Sequence, residues 1–332
     1  MKRILLVVTF AFALAGLSQA QTKILNVSYD VSRAFYKEYN PLFAAQWKSK
    51  SGKDIAIEQS HAGSSKQARA VVDGLPADVV TFNQDTDIDL LVDRGLVNQD
   101  WKSRLPYGSS PYSSVILFLV RAGNPKGIKD WDDLVKPGVQ VIVPNPKTSG
   151  NGRYSYLAAW AYALKKNNGD QAAAKDFVAK LFKNVPVLDT GGRAATTTFA
   201  QNGIGDVLLT FESEVFAIKA DPTVGVSKLD SVVPSLSIVA DAPVAVVDKN
   251  VDKAGTRAAA EDYLKYLFSP EGQELAAKNY FRPRDPAVLA KHKSEFPELP
   301  LVSVDETFGD WKKAQAEHFS DGALFDQIYI AN

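Results

Sequence analysis

One local pattern recurs along this chain: a short apolar run, a loop of small polar residues, then a stretch with apolar residues at helical spacing. Ile24 to Val27 leads through Ser28-Tyr29-Asp30 into Phe35, Tyr39, Leu42, Phe43 and Trp47, which lie near helical spacing. Asp54 to Glu58 alternates Ile55 and Ile57 with polar neighbours, as a strand does. Gln59 to Ser65 reads as a loop, and Lys66 to Val72 as a helix stopped by Gly74. The pattern returns as strand Gln140 to Val143, loop Pro144 to Gly152 and helix Arg153 to Lys166. It returns again as strand Val185 to Leu188, loop Asp189 to Gly192 and helix Arg193 to Ala200, with a further strand at Asp206 to Phe211. Strands that alternate with helices predict mainly parallel sheets with helices on both faces. The series occurs in two separate halves, so the expectation is two α/β lobes. Val115 to Val120 and Val244 to Val247 lie between the blocks and read as the segments crossing from one lobe to the other. Arg257 to Asn279 reads as two helices around Ser269-Pro270-Glu271-Gly272.

The N-terminus carries a different signal. Lys2 and Arg3 precede the apolar stretch Ile4 to Leu17, and Ser18-Gln19-Ala20 supplies small residues at a cleavage site. This predicts a secretory signal peptide over residues 1–20. The apolar run is short for a membrane span of about 20 residues. Removing 20 of the 332 residues leaves 312, enough for two ordinary domains. The 38 basic and 38 acidic residues balance, which argues against nucleic acid or an anionic membrane as the main partner. There is no cysteine, which removes thiol catalysis, thiolate metal sites and a lipid anchor on cysteine.

Enzyme signatures are weak. The three histidines, His61, His292 and His318, share no metal-ligand spacing, and the common nucleotide, hydrolase and metalloprotease motifs are missing. Asp85, Asp87 and Asp89 imitate a calcium loop. Leu90 sits where such a loop needs glycine and Leu96 where it needs glutamate, so a solvated helix face is the expectation. A hydrolase would have to use Ser64 and His61, three residues apart, with no orienting carboxylate evident.

The strand-to-helix loops carry more. Helix N-termini present unpaired N–H groups and partial positive charge, so they suit anions. Four such loops here are built from Ser, Thr, Gly, Asn and Asp, which let the backbone approach closely and add hydroxyl donors. Each following helix begins with a cation: Arg33, Lys66, Arg153 and Arg193. Such placement opposes the helix dipole by about 0.3–1 kcal/mol each, which suggests a field set for an incoming anion. The alternative is that these long side chains reach water and do nothing there. Ligands in open α/β sheets bind at the carboxyl ends of strands, where these loops lie.

The chain resembles the periplasmic sulfate-binding proteins, the receptors of sulfate and thiosulfate ABC importers, over essentially its whole mature length. LNVSYD (Leu25 to Asp30), QSHAGSSKQ (Gln59 to Gln67), NPKTSGNGR (Asn145 to Arg153), LDTGGR, GIGDVLL, YLKYLFSPEGQELAAKN and FGDW (Phe308 to Trp311) carry the likeness in order. It implies a type II periplasmic-binding-protein fold with two α/β lobes joined by a two-strand hinge. The expected division is residues 21–113 plus 240–332 for one lobe and 114–239 for the other. It also implies a non-enzymatic receptor working in the periplasm without a cofactor, which delivers its anion to an inner-membrane permease. Nothing in the sequence suggests an oligomer. By position, the likeness puts the Asp30 N–H and Ser64 on the anion from the first lobe. From the second come the Ser149 hydroxyl and the N–H groups of Gly150, Asn151 and Gly192. The family often places a donating Trp where this chain has Phe211, a bond worth about 1.5–3 kcal/mol. The ligand expected is sulfate or thiosulfate, with molybdate or phosphate as the alternative. Phosphate, which keeps a proton, would need the Asp30 carboxylate as its acceptor. A purely structural exported protein is the remaining class.

Overall fold

A computed structural model describes residues 21–221 and 229–330. The signal segment expected over 1–20 lies outside them. In chain order the strands are β1 (Thr22–Tyr29), β2 (Ile55–Ala62), β3 (Val79–Thr81), β4 (Tyr112–Arg121), β5 (Val141–Pro144), β6 (Leu188–Asp189), β7 (Val207–Phe211), β8 (Leu229–Val232), β9 (Ser237–Asp241), β10 (Val244–Val246), β11 (Arg282–Pro283) and β12 (Leu301–Val302). Between them run α1 (Arg33–Ser51), α2 (Ser64–Val72), α3 (Asp85–Asp93), the single turn α4 (Pro106–Ser109), α5 (Gly150–Lys166), α6 (Gln171–Lys183), α7 (Gly192–Thr196) and α8 (Glu212–Ala220).

The strands form two sheets, one of order β10-β3-β1-β2 and one of order β12-β9-β4-β7-β5-β6, with β8 and β11 also paired to β4. β1 is parallel to both β2 and β3. Its register with β2 runs from Thr22 opposite Ile55 to Tyr29 opposite Ala62. The pairing draws Gln59 to Ala62, expected in a loop, into the strand, and leaves Gly63 alone as the turn into α2. Gln67 fixes that corner by donating to the Ser60 hydroxyl at 2.9 Å and the Ser28 carbonyl at 3.2 Å. On α1 the apolar stripe buries Phe35, Tyr36, Tyr39, Phe43 and Trp47, whereas Leu42, expected on the stripe, is 43% exposed. Gly52, at φ 71°, ends the helix in the left-handed region.

In the second sheet β5 is parallel to β6 and β7, and β7 is antiparallel to β4. β4 is flanked by neighbours and covered by helices, so Ile116 to Leu119 have no exposed surface. That burial accounts for its unbroken apolar run. The runs Val115 to Val120 and Val244 to Val247 were expected to cross between the lobes. They are instead part of the sheets, β4 in the second and β10 in the first. The chain crosses beside them, where Ala242 N–H donates to the Tyr112 carbonyl at 3.2 Å and Phe82 N–H to the Pro243 carbonyl at 2.9 Å.

The expected boundaries at 113 and 240 fall within β4 and β9, which pair with each other in the second sheet. The tail, expected with the first lobe, leans on the second. β11 and β12 pair with β4 and β9, and the helix Leu324–Ile330 packs on α6. Lys147 fastens it, its ammonium reaching the Phe319 carbonyl and the Asp321 and Asp326 carboxylates, each at 3.0 Å.

Candidate functional site

The loops after β1, β2 and β3 meet the loops after β5 and β6 across the gap between the sheets. A Cβ added to Gly63 would lie 2.6 Å from the Thr148 carbonyl oxygen and 2.9 Å from that of Thr190. One on Gly150 would overlap the Asn83 side chain, and one on Gly191 the Asp30 carboxylate. One on Gly192 would press on Val31 at 3.0 Å. The Arg193 N–H donates to Asp30 Oδ2 at 3.0 Å. The lobes are therefore closed, and glycine is what allows the contact.

Within this seam the predicted residues come together. Ser149 caps α5, its oxygen accepting from Gly152 N–H at 3.4 Å. The first-turn N–H groups of Gly150 and Asn151 have no carbonyl within the helix to bond. The Asn151 side chain is committed to the fold, donating to Thr210 Oγ1 at 2.8 Å. Gly192 opens α7, and Ser64 opens α2. The Ser64 hydroxyl is buried and has no partner, and the same holds for Ser213 Oγ and Asn83 Oδ1. Buried polar groups without partners cost about 1–3 kcal/mol each, and Ser64 and Asn83 lie on the loops that face Thr148 and Gly150 across the seam. Phe211, at the end of β7, brings no polar side-chain atom. Its ring meets those of Tyr29 and Tyr154 edge-on, with centroids 6.4 and 5.9 Å away.

Over residues 26–282 the chain matches the family described as bacterial extracellular solute-binding protein. It belongs to that family. The thiosulfate-binding protein of Pseudomonas aeruginosa is 61% identical over 321 residues, which cover 96% of each chain. The sulfate-binding protein of Escherichia coli is 54% identical over 96% of this chain and 97% of its own. Among solved structures, the sulfate-binding protein SubI of Mycobacterium tuberculosis superposes with a TM-score of 0.82 at 34% identity, over 90% of this chain and 100% of that one. This chain has the type II periplasmic-binding-protein fold.

In this solute-binding protein the buried or paired basic side chains around the seam are turned toward other partners. Arg33 and Lys66 are exposed. Arg153 is buried, but its Nε donates to the Pro146 carbonyl at 2.9 Å, and Nη1 lies 3.8 Å from Asp87. Arg193 faces Glu214 at 3.5 Å. Asp87, expected on a solvated face, is 3% exposed because α3 turns it inward toward Arg153. Burial pushes the Asp30 carboxyl above its usual range, against the opposing pull of the Arg193 N–H and charge. Burial raises Glu214 as well, with Arg193 and the Thr196 hydroxyl opposing.

His61 does not activate Ser64. Its Nδ1 sits 3.2 Å from the Tyr29 carbonyl and so carries the proton, while Ser64 Oγ has no partner. Burial lowers the His61 pKa to about 4. Among the described residues no group of acidic or histidine side chains is arranged to hold a metal, and no helix is long and apolar enough to cross a membrane.

Sequence reasoning missed Asn83. The signal for Asn83 was there, since Val79–Thr81 runs through Phe82-Asn83-Gln84 into α3. A strand of three residues is too short to show alternation.

Proposed function

We propose that this protein captures sulfate or thiosulfate in the periplasm, after export on its N-terminal segment, and hands it to the permease of an ABC importer. The observation that carries this reading is the set of neutral donors at the seam. The first-turn amides of α2, α5 and α7 and the unpartnered Ser64 hydroxyl meet there, while Arg153 and Arg193 face the carboxylates of Asp87 and Glu214. Asp30 N–H, Ser64, Ser149, Gly150, Asn151 and Gly192 are the donors we assign. The Asn83 amide is able to add its NH2 group, because an amide offers either atom. The names of the relatives above support the choice of anion.

A fully ionised tetrahedral dianion needs donors only. Phosphate near neutral pH brings a proton that needs an acceptor. The groups assigned to the anion are donors, and Asp30 Oδ2 is turned to the Arg193 N–H, an arrangement that suits sulfate and thiosulfate better than phosphate. Closure of the two lobes about Tyr112 and Ala242–Pro243 would signal the loaded state to the permease.

The test is calorimetric titration of the mature protein with sulfate, thiosulfate, molybdate and phosphate at pH 6 and pH 8. Binding of sulfate or thiosulfate that is flat with pH, with phosphate silent, is the expected result. Preference for phosphate or molybdate would keep the receptor and discard the anion assigned here.

A further inference from the structure

Behind the donor loops lies a narrow cavity walled mainly by Tyr29, Tyr112, Phe211, Ala240 and Phe281, with Asn83, Ser113, Ser114 and Asp241 as its polar members and room for about one water molecule. It shares walls with the proposed anion site. Tyr29 precedes Asp30, Asn83 abuts Gly150, and Phe211 follows Thr210, the partner of Asn151. Its surface is mostly apolar and aromatic. Four of the walls are rings, with Tyr29 edge-on to Phe211 and Tyr112 against Phe281 at 4.5 Å between centroids.

An anion whose four vertices all demand hydrogen bonds gains nothing from such a wall. Thiosulfate differs at one vertex: its terminal sulfur is larger, softer and a weaker acceptor than oxygen. A polarisable sulfur is favoured at the edge of aromatic rings, where the quadrupole is positive. An oxygen facing the same rings would lose a bond to a charged group. We infer that the binding site is built for thiosulfate, with its three oxygens on the loop donors and its terminal sulfur against Phe211 and the cavity behind it. Phe211 and Ala240 then set specificity within the receptor reading above, on which this inference rests.

The expected consequence is that thiosulfate binds roughly tenfold or more tightly than sulfate, as one unmade bond to an ion implies. Ala240→Val narrows the cavity without touching an assigned donor. It is expected to weaken thiosulfate about tenfold and to leave sulfate within about twofold, the split that loss of a fitted methyl-sized space gives. The parent protein crystallised with selenosulfate offers a test that depends on no variant, since the anomalous signal locates the selenium that replaces the terminal sulfur. Selenium beside Phe211 supports the assignment. Selenium at the Ser149–Asn151 turn overturns it, as does an equal loss of both anions in Ala240→Val, and either result leaves the receptor reading intact. If neither sulfate nor thiosulfate binds the parent, the receptor reading falls and this inference with it.

Discussion

Two carboxylates in this molecule are held in opposite ways. Asp248, at the base of the first lobe, is buried and takes bonds from Arg104 Nη1 at 2.9 Å, Arg257 Nη1 at 2.8 Å and the Asn98 N–H at 2.8 Å. Burial opposes its ionisation, but these partners outweigh it and hold its pKa below the usual range. Asp30, in the seam between the lobes, has the Arg193 N–H and a distant charge, and burial wins, raising its pKa. A permanent charge in the scaffold is neutralised by full opposite charges. In the seam the donors are neutral and several are unspent. Neutral donors neither bind a competing carboxylate permanently nor carry the large desolvation penalty of a buried cation.

The largest effect expected from breaking this contrast is on stability. Asp248→Ala leaves two guanidiniums without their shared partner. It should lower the unfolding free energy by about 2–3 kcal/mol at pH 7 in urea titrations, a value discounted because both arginines are partly exposed. Anion affinity should be unchanged. Because the folded pKa of Asp248 is depressed, its contribution is present above the unfolded value of about 3.9 and is lost as pH falls through the folded one. The gap between variant and parent should therefore close in acid. Asp30 has the opposite sign: it costs stability while ionised, and that cost disappears as pH falls through its raised pKa.

Next comes closure. Gly63 has ordinary backbone angles, φ −56° and ψ 137°, so Gly63→Ala should fold normally. Its methyl would meet two carbonyls of the opposite lobe and hold the seam apart. Affinity for the anion should fall roughly ten- to hundredfold, the size of a local overpacking penalty on the closed state. Unchanged affinity would mean that the anion does not need the contact seen here.

Ser64→Ala removes a hydroxyl that has no partner in the protein, and Ser149→Ala removes one that also caps α5. Both should weaken binding about tenfold. Only Ser149→Ala should also lower stability, by about 1 kcal/mol for the lost cap, which thermal melts of the unliganded proteins would detect. If neither variant changes affinity, the donor assignment is wrong.

The smallest effect sharpens the role of charge. Arg33→Gln and Lys66→Gln remove exposed cations, and each should change affinity by no more than about twofold at physiological salt. A tenfold loss would put these side chains on the anion.

Much of this was legible beforehand, for local reasons. The alternation of apolar run, small-residue loop and amphipathic stretch is short-range chemistry, and it located the loops that line the seam. Its errors were also local in kind. β2 continues past Glu58 to Ala62, through the expected loop, because pairing with β1 outweighs the polar character of Gln59, Ser60 and His61. The brief strand β3, and Asn83 after it, offered too little periodicity to read.

The sequence by itself determined the α/β layering, the chemistry of the anion loops and the glycines that allow them to approach. The tertiary structure alone decided which loops face each other, that Arg153 spends its charge beside Asp87 and the Pro146 carbonyl, and that an aromatic cavity lies behind Phe211. The reason is one of range. Period and turn chemistry act over a few residues, whereas side-chain direction and the space left between lobes depend on contacts between residues far apart in the chain.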